Sequence, residues 1–246
     1  MTARATTFLV PTATDPAGAA EQIAKFGFVH VEAGEFGDLP RAELARFAAS
    51  WDDLVPDTAL LDGGRYRLRR YGRLKASWSG DQLRFAPLGH APFRQDTNPL
   101  YRGTARMFEP ITAEVLADPV LRHLVGFDVT VASRLHRLDS WQVGLHQIRI
   151  VARDGDAGLP TPEGRHRDGH LFVGMHMLAR TGCSGGHSII EQNDGTLWEF
   201  TLTRPLDTVI VADGAVTHEV TAIRAGAGAP QAVRDMLLVD LNPLEP

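Results

Sequence analysis

Three residues in the second half of this chain, His166, Asp168 and His218, are of the types that can hold a transition metal. His166 and Asp168 stand two apart within Pro162-Glu163-Gly164-Arg165-His166-Arg167-Asp168-Gly169, just before the apolar run Leu171 to Leu178. In extended backbone, side chains two apart point to the same side, so both can approach one ion while Arg167 points away. An imidazole and a carboxylate suit Fe(II), Mn(II) or Zn(II), and a third ligand must come from elsewhere. His218 is the natural candidate, because it follows the β-rich run Thr208 to Ala212 and the turn Asp213-Gly214-Ala215, at the mouth of a strand pair. Two histidines and one carboxylate on one face of an octahedron leave three positions open. That arrangement suits Fe(II) chemistry needing room for a co-substrate and O2.

Arg234 follows His218 by sixteen positions and opens the run Asp235 to Leu241. A guanidinium at the rim of a β core suits bidentate recognition of a carboxylate. If the metal is iron, the far carboxylate of 2-oxoglutarate is the expected guest. Each of these elements alone is weak; the order of His-x-Asp before a strand, a distal His after a turn and an Arg on the last strand is much more specific. Other polar residues divide less sharply. Gln147 and Arg149 alternate with His146, Ile148 and Ile150, so one set faces the core and the other the opposite side. The basic run Arg65, Arg67, Arg69 and Arg70 reads as a solvated strand face from which one arginine, taken as Arg69, reaches the substrate. For His176 and His187 a core histidine bonded to its neighbours is the commoner case; His176 is carried forward as a substrate contact. Cys183, the single cysteine, excludes an intramolecular disulfide and thiolate zinc sites.

The elements that must position these residues change character along the chain. Asp15 to Phe26 has helical spacing of Ala19, Ile23 and Phe26 and stops at Gly27; Phe28 to Val31 follows as a short strand. Leu39 to Trp51, begun at Pro40, and Ala113 to Val125 read as further helices, and Arg65 to Tyr71 as a strand. From Trp141 onward, short β-rich runs are separated by Gly, Pro, Asn and Asp, which argues for a sandwich or barrel. The expected architecture is mainly β with flanking helices. A helical and strand support over about residues 1–130 leans on a β core over about 131–246, taken together as one domain over 1–246.

The composition fits small-molecule chemistry. With 43% hydrophobic and 22% charged residues, the chain is globular rather than disordered. A net charge of −5 provides no footprint for nucleic acid or an anionic membrane. No apolar run approaches the roughly 20 residues of a membrane span, and the N-terminus lacks the cationic start and apolar stretch of a signal peptide. A cytoplasmic protein acting on a small molecule is expected, with a homodimer left open.

Several stretches resemble the bacterial 2-oxoglutarate/Fe(II) dioxygenases of the L-isoleucine 4-hydroxylase type, which hydroxylate free amino acids. They are Tyr66-Arg67-Leu68-Arg69-Arg70-Tyr71, His146-Gln147-Ile148-Arg149-Ile150, Pro162-Glu163-Gly164 through Asp168-Gly169, Gly185-Gly186, and Thr217-His218-Glu219-Val220-Thr221 followed by Arg234-Asp235. The resemblance covers roughly residue 20 to the C-terminus. It implies a double-stranded β-helix (jelly roll, cupin-like) core, with Fe(II) on His166, Asp168 and His218, 2-oxoglutarate on Arg234, and O2 as oxidant. It favours Gln147 in the pocket as a co-substrate contact and Arg149 as a substrate contact. Many such oxygenases carry Ser or Thr two positions after the arginine, where this chain has Met236. Related halogenases replace the metal carboxylate by Gly or Ala, so the retained Asp168 points to hydroxylation, with no catalytic side chain beyond the metal centre. The rival readings are a non-enzymatic cupin-like jelly-roll protein using the metal for sensing or storage, an Fe(II)/2-oxoglutarate enzyme acting on a specialised-metabolite intermediate, and a zinc hydrolase or isomerase, which leaves Arg234 without a purpose.

Overall fold

The structure of the protein is a computed structural model that describes residues 10–95, 97–98, 100–153 and 155–244. Its strands are β1 (Thr12–Ala13), β2 (Phe28–Val31), β3 (Val55–Pro56), β4 (Arg67–Ser79), β5 (Gln82–Pro87), β6 (Ser140–Arg153), β7 (Phe172–Thr181), β8 (Cys183–Gly185), β9 (Ser188–Gln192), β10 (Leu197–Phe200), β11 (Thr208–Ala212), β12 (Val216–Val220), β13 (Ile223–Ala225) and β14 (Gln231–Pro243). Its α-helices are α1 (Pro16–Phe26), α2 (Arg41–Ala49), α3 (Ala113–Leu116) and α4 (Pro119–Leu135).

Local chemistry explains the helix limits. Asp15 accepts a hydrogen bond from Gly18 N at 2.7 Å and Pro16 opens α1, which ends at Gly27 in the left-handed region. The single helix expected over 113–125 is instead two. Asp118 leaves helical geometry to accept from Val120 N at 2.8 Å, and Pro119 restarts the chain as α4, which runs ten residues further than expected, to Leu135. Among the described residues no helix is long and apolar enough to cross a membrane.

A nine-stranded sheet runs in the order β1-β2-β11-β7-β14-β6-β4-β3, and β5 also pairs with β4, over Leu74 to Ser79. Facing it is the sheet β10-β9-β12, beside a β13-β8 pair. The two sheets enclose one core, containing Phe28, Val173, Met177, Ile190, Val209, Val211 and Met236. On its other face the large sheet packs against the helices, burying Val29, Val31, Leu121, Leu124, Val143, Leu145, Ile210 and Leu237. Strands buried on both faces read as continuous apolar runs, as Thr208-Val209-Ile210-Val211-Ala212 does. The N-terminal part is more than a helical support, because β2, β3, β4 and β5 belong to the large sheet and β4 pairs with β6 from Arg67–Ile150 through Ser77–Ser140. The jelly roll is therefore completed from both halves of the chain. The break considered near residue 130 falls inside α4.

Two buried polar clusters hold the large sheet. On the helix side, His176 stands between Thr208 Oγ1 and Asp128 Oδ2, each at 2.8 Å, tying β7 to β11 and α4. This overturns the expectation that His176 contacts substrate: it is fully buried on the face away from the inter-sheet space, with both ring nitrogens occupied. On the inner face, His146 of β6 accepts from Arg69 of β4 at 2.6 Å through Nδ1 and donates through Nε2 to Asp240 of β14 at 2.7 Å. Burial, then the cationic Arg69, lowers the His146 pKa to about 4, against the opposing pull of Asp240.

Two tests follow from these clusters. A Cβ on Gly174 would lie 2.2 Å from Asp128 Oδ2, so Gly174→Ala should displace Asp128 from His176 and destabilise by roughly 1–3 kcal/mol in urea denaturation. An unchanged midpoint would show that the α4–β7 contact relaxes freely. The second test uses pH. Between pH 6.5 and about 4 the unfolded chain protonates His146 while the folded chain does not, so stability falls as pH falls through that window. Roughly 3 kcal/mol of that loss should belong to His146, at 1.36 kcal/mol per pKa unit. His146→Gln should flatten the acid limb of a stability-versus-pH curve, and an unaltered slope would exclude the group.

Candidate metal centre and its cavity

Backbone pairing brings the two histidines together. The segment before β7 lies against β12, with His166 N donating to His218 O and His218 N to His166 O, both at 3.0 Å. The rings sit 4.6 Å apart between centroids. Asp168 follows in a turn pinned from the β11–β12 corner: its own N–H donates to Asp213 Oδ1 at 2.9 Å and that of Gly169 to Asp213 Oδ2 at 2.7 Å. Gly169 is at φ 87°, and a Cβ there would meet Thr97 Oγ1 at 2.4 Å, so this position requires glycine.

Ligand atoms of His166, Asp168 and His218 all lie within 4.8 Å of one another, and all three residues are buried. His166 Nε2 is 3.4 Å from Asp168 Oδ1, and His218 Nε2 is 3.3 Å from Asp168 Oδ2. His166 Nδ1 faces the Gly164 carbonyl at 2.9 Å, which places a proton on Nδ1 and points the Nε2 lone pair at the centre. Burial opposes charge on His166, but Asp168, with Glu163 and the Gly164 carbonyl, outweighs it and raises the pKa to about 9. Burial likewise opposes charge on Asp168, yet the two imidazoles hold its carboxyl well below the ordinary range. The three groups thus favour a cation at their centre. A divalent ion can take the place of the proton there, with two nitrogens and an oxygen as donors. Gln95 donates to Asp168 Oδ1 at 2.5 Å and accepts from Arg106, whose guanidinium lies 3.7 Å from the Tyr101 ring centre.

The centre opens into a cavity of about 90 Å³ between the sheets. Its apolar wall is built by Ile148 and Ile150 of β6, Met236 and Leu238 of β14, and Met175 of β7. Four arginines, Arg67, Arg69, Arg106 and Arg234, also line it. Arg67 is paired with Asp57 at 2.7 Å, and Arg69 reaches that carboxylate only at 3.9 Å. Burial, then Arg67, depresses Arg69 to about 9. Arg234 is 4% exposed and has no ion pair with any described residue, and its Nε lacks a hydrogen-bond partner among them. Burial and the neighbouring Arg180 lower it to about 10. Met236, two positions on, shares the cavity and offers no hydroxyl there.

The structure brings together His166, Asp168, His218, Arg234 and Arg69, and leaves out Gln147 and Arg149. These two belong to the opposite face of β6 from Ile148 and Ile150. Gln147 donates to Ser50 Oγ at 2.8 Å, and Arg149 bonds Asp235 through two nitrogens at 2.8 Å and Asp52 at 2.9 Å. Their polar groups are satisfied beneath the Ser50–Asp53 turn, so the alternation resolves with the isoleucines facing the cavity. Sequence reasoning did not single out Gln95, Glu163 or Asp213, and left Arg67 in the solvated basic face and Arg106 as a weaker case of the same kind. Arg67 was within reach, being two residues from Arg69 on one strand. Gln95 and Arg106 lie in a stretch without periodicity, which offers no such signal.

A family model described as 2OG-Fe dioxygenase matches residues 48–240. L-isoleucine-4-hydroxylase of Bacillus thuringiensis is 28% identical over 145 residues, a stretch spanning 57% of this chain and 60% of that protein. The crystal structure of a bsmA homolog from Methylobium petroleophilum superposes with a TM-score of 0.84 at 28% identity, over 96% of this chain and 95% of that one. The structure of IDO from Bacillus thuringiensis shares the fold with a TM-score of 0.78 at 21% identity, over 97% of this chain and 99% of that one. With its jelly-roll core, its three converging metal donors and this match over most of its length, the chain belongs to the 2OG-Fe dioxygenase family and is an Fe(II)-, 2-oxoglutarate- and O2-dependent dioxygenase.

Proposed function

We propose that His166, Asp168 and His218 hold the iron, that Arg234 binds the distal carboxylate of 2-oxoglutarate, and that the substrate is a free amino acid whose carboxylate meets Arg69. Bound iron, with 2-oxoglutarate and O2, supplies the oxidising power to hydroxylate an aliphatic carbon. The protein supplies geometry, charge and exclusion of water. The observation that carries this reading is Arg234, a buried guanidinium without an ion-pair partner among the described residues, in the same cavity as the three donors. A buried cation is costly unless an anion joins it, so the site is preorganised for one.

Arg69 has the same need. Its Nε is unpartnered among the described residues, the Phe108 ring lies 4.1 Å from the guanidinium carbon, and His146 fixes one nitrogen. Arg106 lines the same cavity. With Arg234 assigned to the co-substrate, Arg69 and Arg106 remain for a second carboxylate. The L-isoleucine-4-hydroxylase relative supports an amino acid as its bearer. The intact carboxylate of Asp168 favours hydroxylation.

Asp168→Ala should lose Fe(II) retention and substrate-dependent succinate formation while near-UV circular dichroism stays native. Undiminished turnover in that variant would sink the metal assignment. Arg234→Ala should raise the KM for 2-oxoglutarate by about 30-fold or more, as expected for truncating one side of a buried charge pair. It should also weaken the visible charge-transfer band of the anaerobic Fe(II)·2-oxoglutarate complex, and an unchanged co-substrate dependence would remove Arg234 from the site.

A further inference from the structure

Beside the metal-centre carboxylate, the cavity holds one further anionic side chain, Glu163, which is neither one of the three converging donors nor ion-paired with an arginine among the described residues. Glu163 lines it three residues before His166, with its side chain 10% exposed. Oε1 accepts from Asn98 Nδ2 at 3.1 Å and lies 3.4 Å from His166 Nε2. Oε2 is buried without a hydrogen-bond partner among the described residues. Glu163 does not join the three groups whose donor atoms converge within 4.8 Å.

Contact with His166 cannot satisfy this carboxylate in the working enzyme. The His166 proton sits on Nδ1, against the Gly164 carbonyl, so an Nε2 that faces the metal has no hydrogen to donate. What remains is one neutral hydrogen bond from Asn98 to a buried anion, and a buried anion needs a cation or several donors. No arginine of the cavity forms an ion pair with Glu163 among the described residues: Arg67 is paired with Asp57 at 2.7 Å, and Arg106 acts on Glu163 only at longer range. A cationic group on a ligand in the cavity would give Oε2 the partner it lacks among the described residues.

We infer that Glu163 is the acceptor for the substrate's free ammonium group, and that it restricts the enzyme to α-amino acids with an unblocked amine. The inference rests on the amino-acid reading above and narrows it. An α-amino acid carries a carboxylate and an ammonium on one carbon. The cavity offers the matching pair of opposite charges, guanidinium groups at Arg69 and Arg106 and a carboxylate at Glu163. The same loop serves both: Gln95 accepts from Arg106 while Asn98 bonds Glu163. An N-acylated or peptidyl substrate presents a neutral amide with a single N–H. It would leave Glu163 buried without a cation, which is the stronger form of discrimination.

The test compares wild type with Glu163→Gln, which keeps shape and removes charge, on the proteinogenic L-amino acids and their Nα-acetyl forms, by 2-oxoglutarate-coupled succinate release. Wild type should turn over free amino acids and not their acetylated forms. Glu163→Gln should raise the KM for the free amino acid by about 10- to 100-fold, the range for losing a hydrogen bond to a charged group, and narrow the preference over the acetylated form. The anaerobic charge-transfer titration with Fe(II) and 2-oxoglutarate should stay within about twofold of wild type, showing that the variant is folded and loaded. An unchanged free-to-acetyl preference in Glu163→Gln, or weakened iron binding in place of altered preference, would overturn the inference while leaving the amino-acid reading intact. Equal use of acetylated substrates by wild type would do the same. If wild type loads iron and 2-oxoglutarate yet releases succinate with neither set, the amino-acid reading itself fails, and the role of Glu163 with it.

Discussion

The site depends on the two backbone hydrogen bonds that pair His166 with His218. They fasten an irregular segment to the edge of the smaller sheet and hold two imidazoles side by side from residues fifty-two apart in sequence. Side-chain donors placed this way need no help from the ion to find one another. Asp213 completes the frame by accepting two N–H groups from the turn that carries Asp168. A carboxylate whose own backbone is tied down loses little entropy on meeting a ligand, and this makes the centre preorganised. With the proposed iron ligands, the chemistry of this centre would rest on main-chain pairing as much as on ligand identity.

Around that frame, charge is distributed against the usual preference of a protein interior. Four arginines line a cavity whose apolar wall is isoleucine, methionine and leucine. Among the described residues only Arg67 has a close carboxylate, Asp57. The depressed values of Arg69 and Arg234, about 9 and about 10, express the same cost in another form. That cost is offset elsewhere, by two apolar layers on either side of the large sheet. Anionic ligands recover it when they bind, and they bind in a medium where water competes weakly.

The division between legible and illegible features follows from the range of the interactions. The two-residue spacing of His166 and Asp168 is local, and so are the apolar runs of β11 and β2, whose bounds match the observed strands at Thr208–Ala212 and Phe28–Val31. Long-range packing decided the rest. Whether Gln147 or Ile148 faced the cavity could not be read from β6, because both alternations are self-consistent until Ser50 and Asp52 arrive from across the sheet. His176 looked adjacent to the site because it is near Asp168 in sequence, but strand alternation sends it to the opposite face from Met175. Within the 113–135 region, Pro119 was the signal for a helix start, and apolar periodicity running across it concealed the break.

The alternation along β4, β6 and β14 has a consequence for how such an enzyme can change its substrate. Each strand commits one face to the helix-covered core and the other to the cavity, so mutations of its inner residues leave the outer packing in place. The inner residues here are uneven in freedom. Arg69, His146 and Asp240 form one row across three strands and cannot vary singly without stranding a partner. The apolar positions, Ile148, Ile150 and Leu238, carry no such linkage and can resize the space for a side chain. The other variable part is the stretch carrying Gln95, Asn98, Tyr101 and Arg106, which lies outside any helix or strand and reaches both charged ends of the cavity. Loops on a rigid scaffold tolerate change better than the strands beneath them. With the substrate contacts proposed above, the choice of polar group on the substrate would lie with that loop and Glu163, and the size of its side chain with the strands.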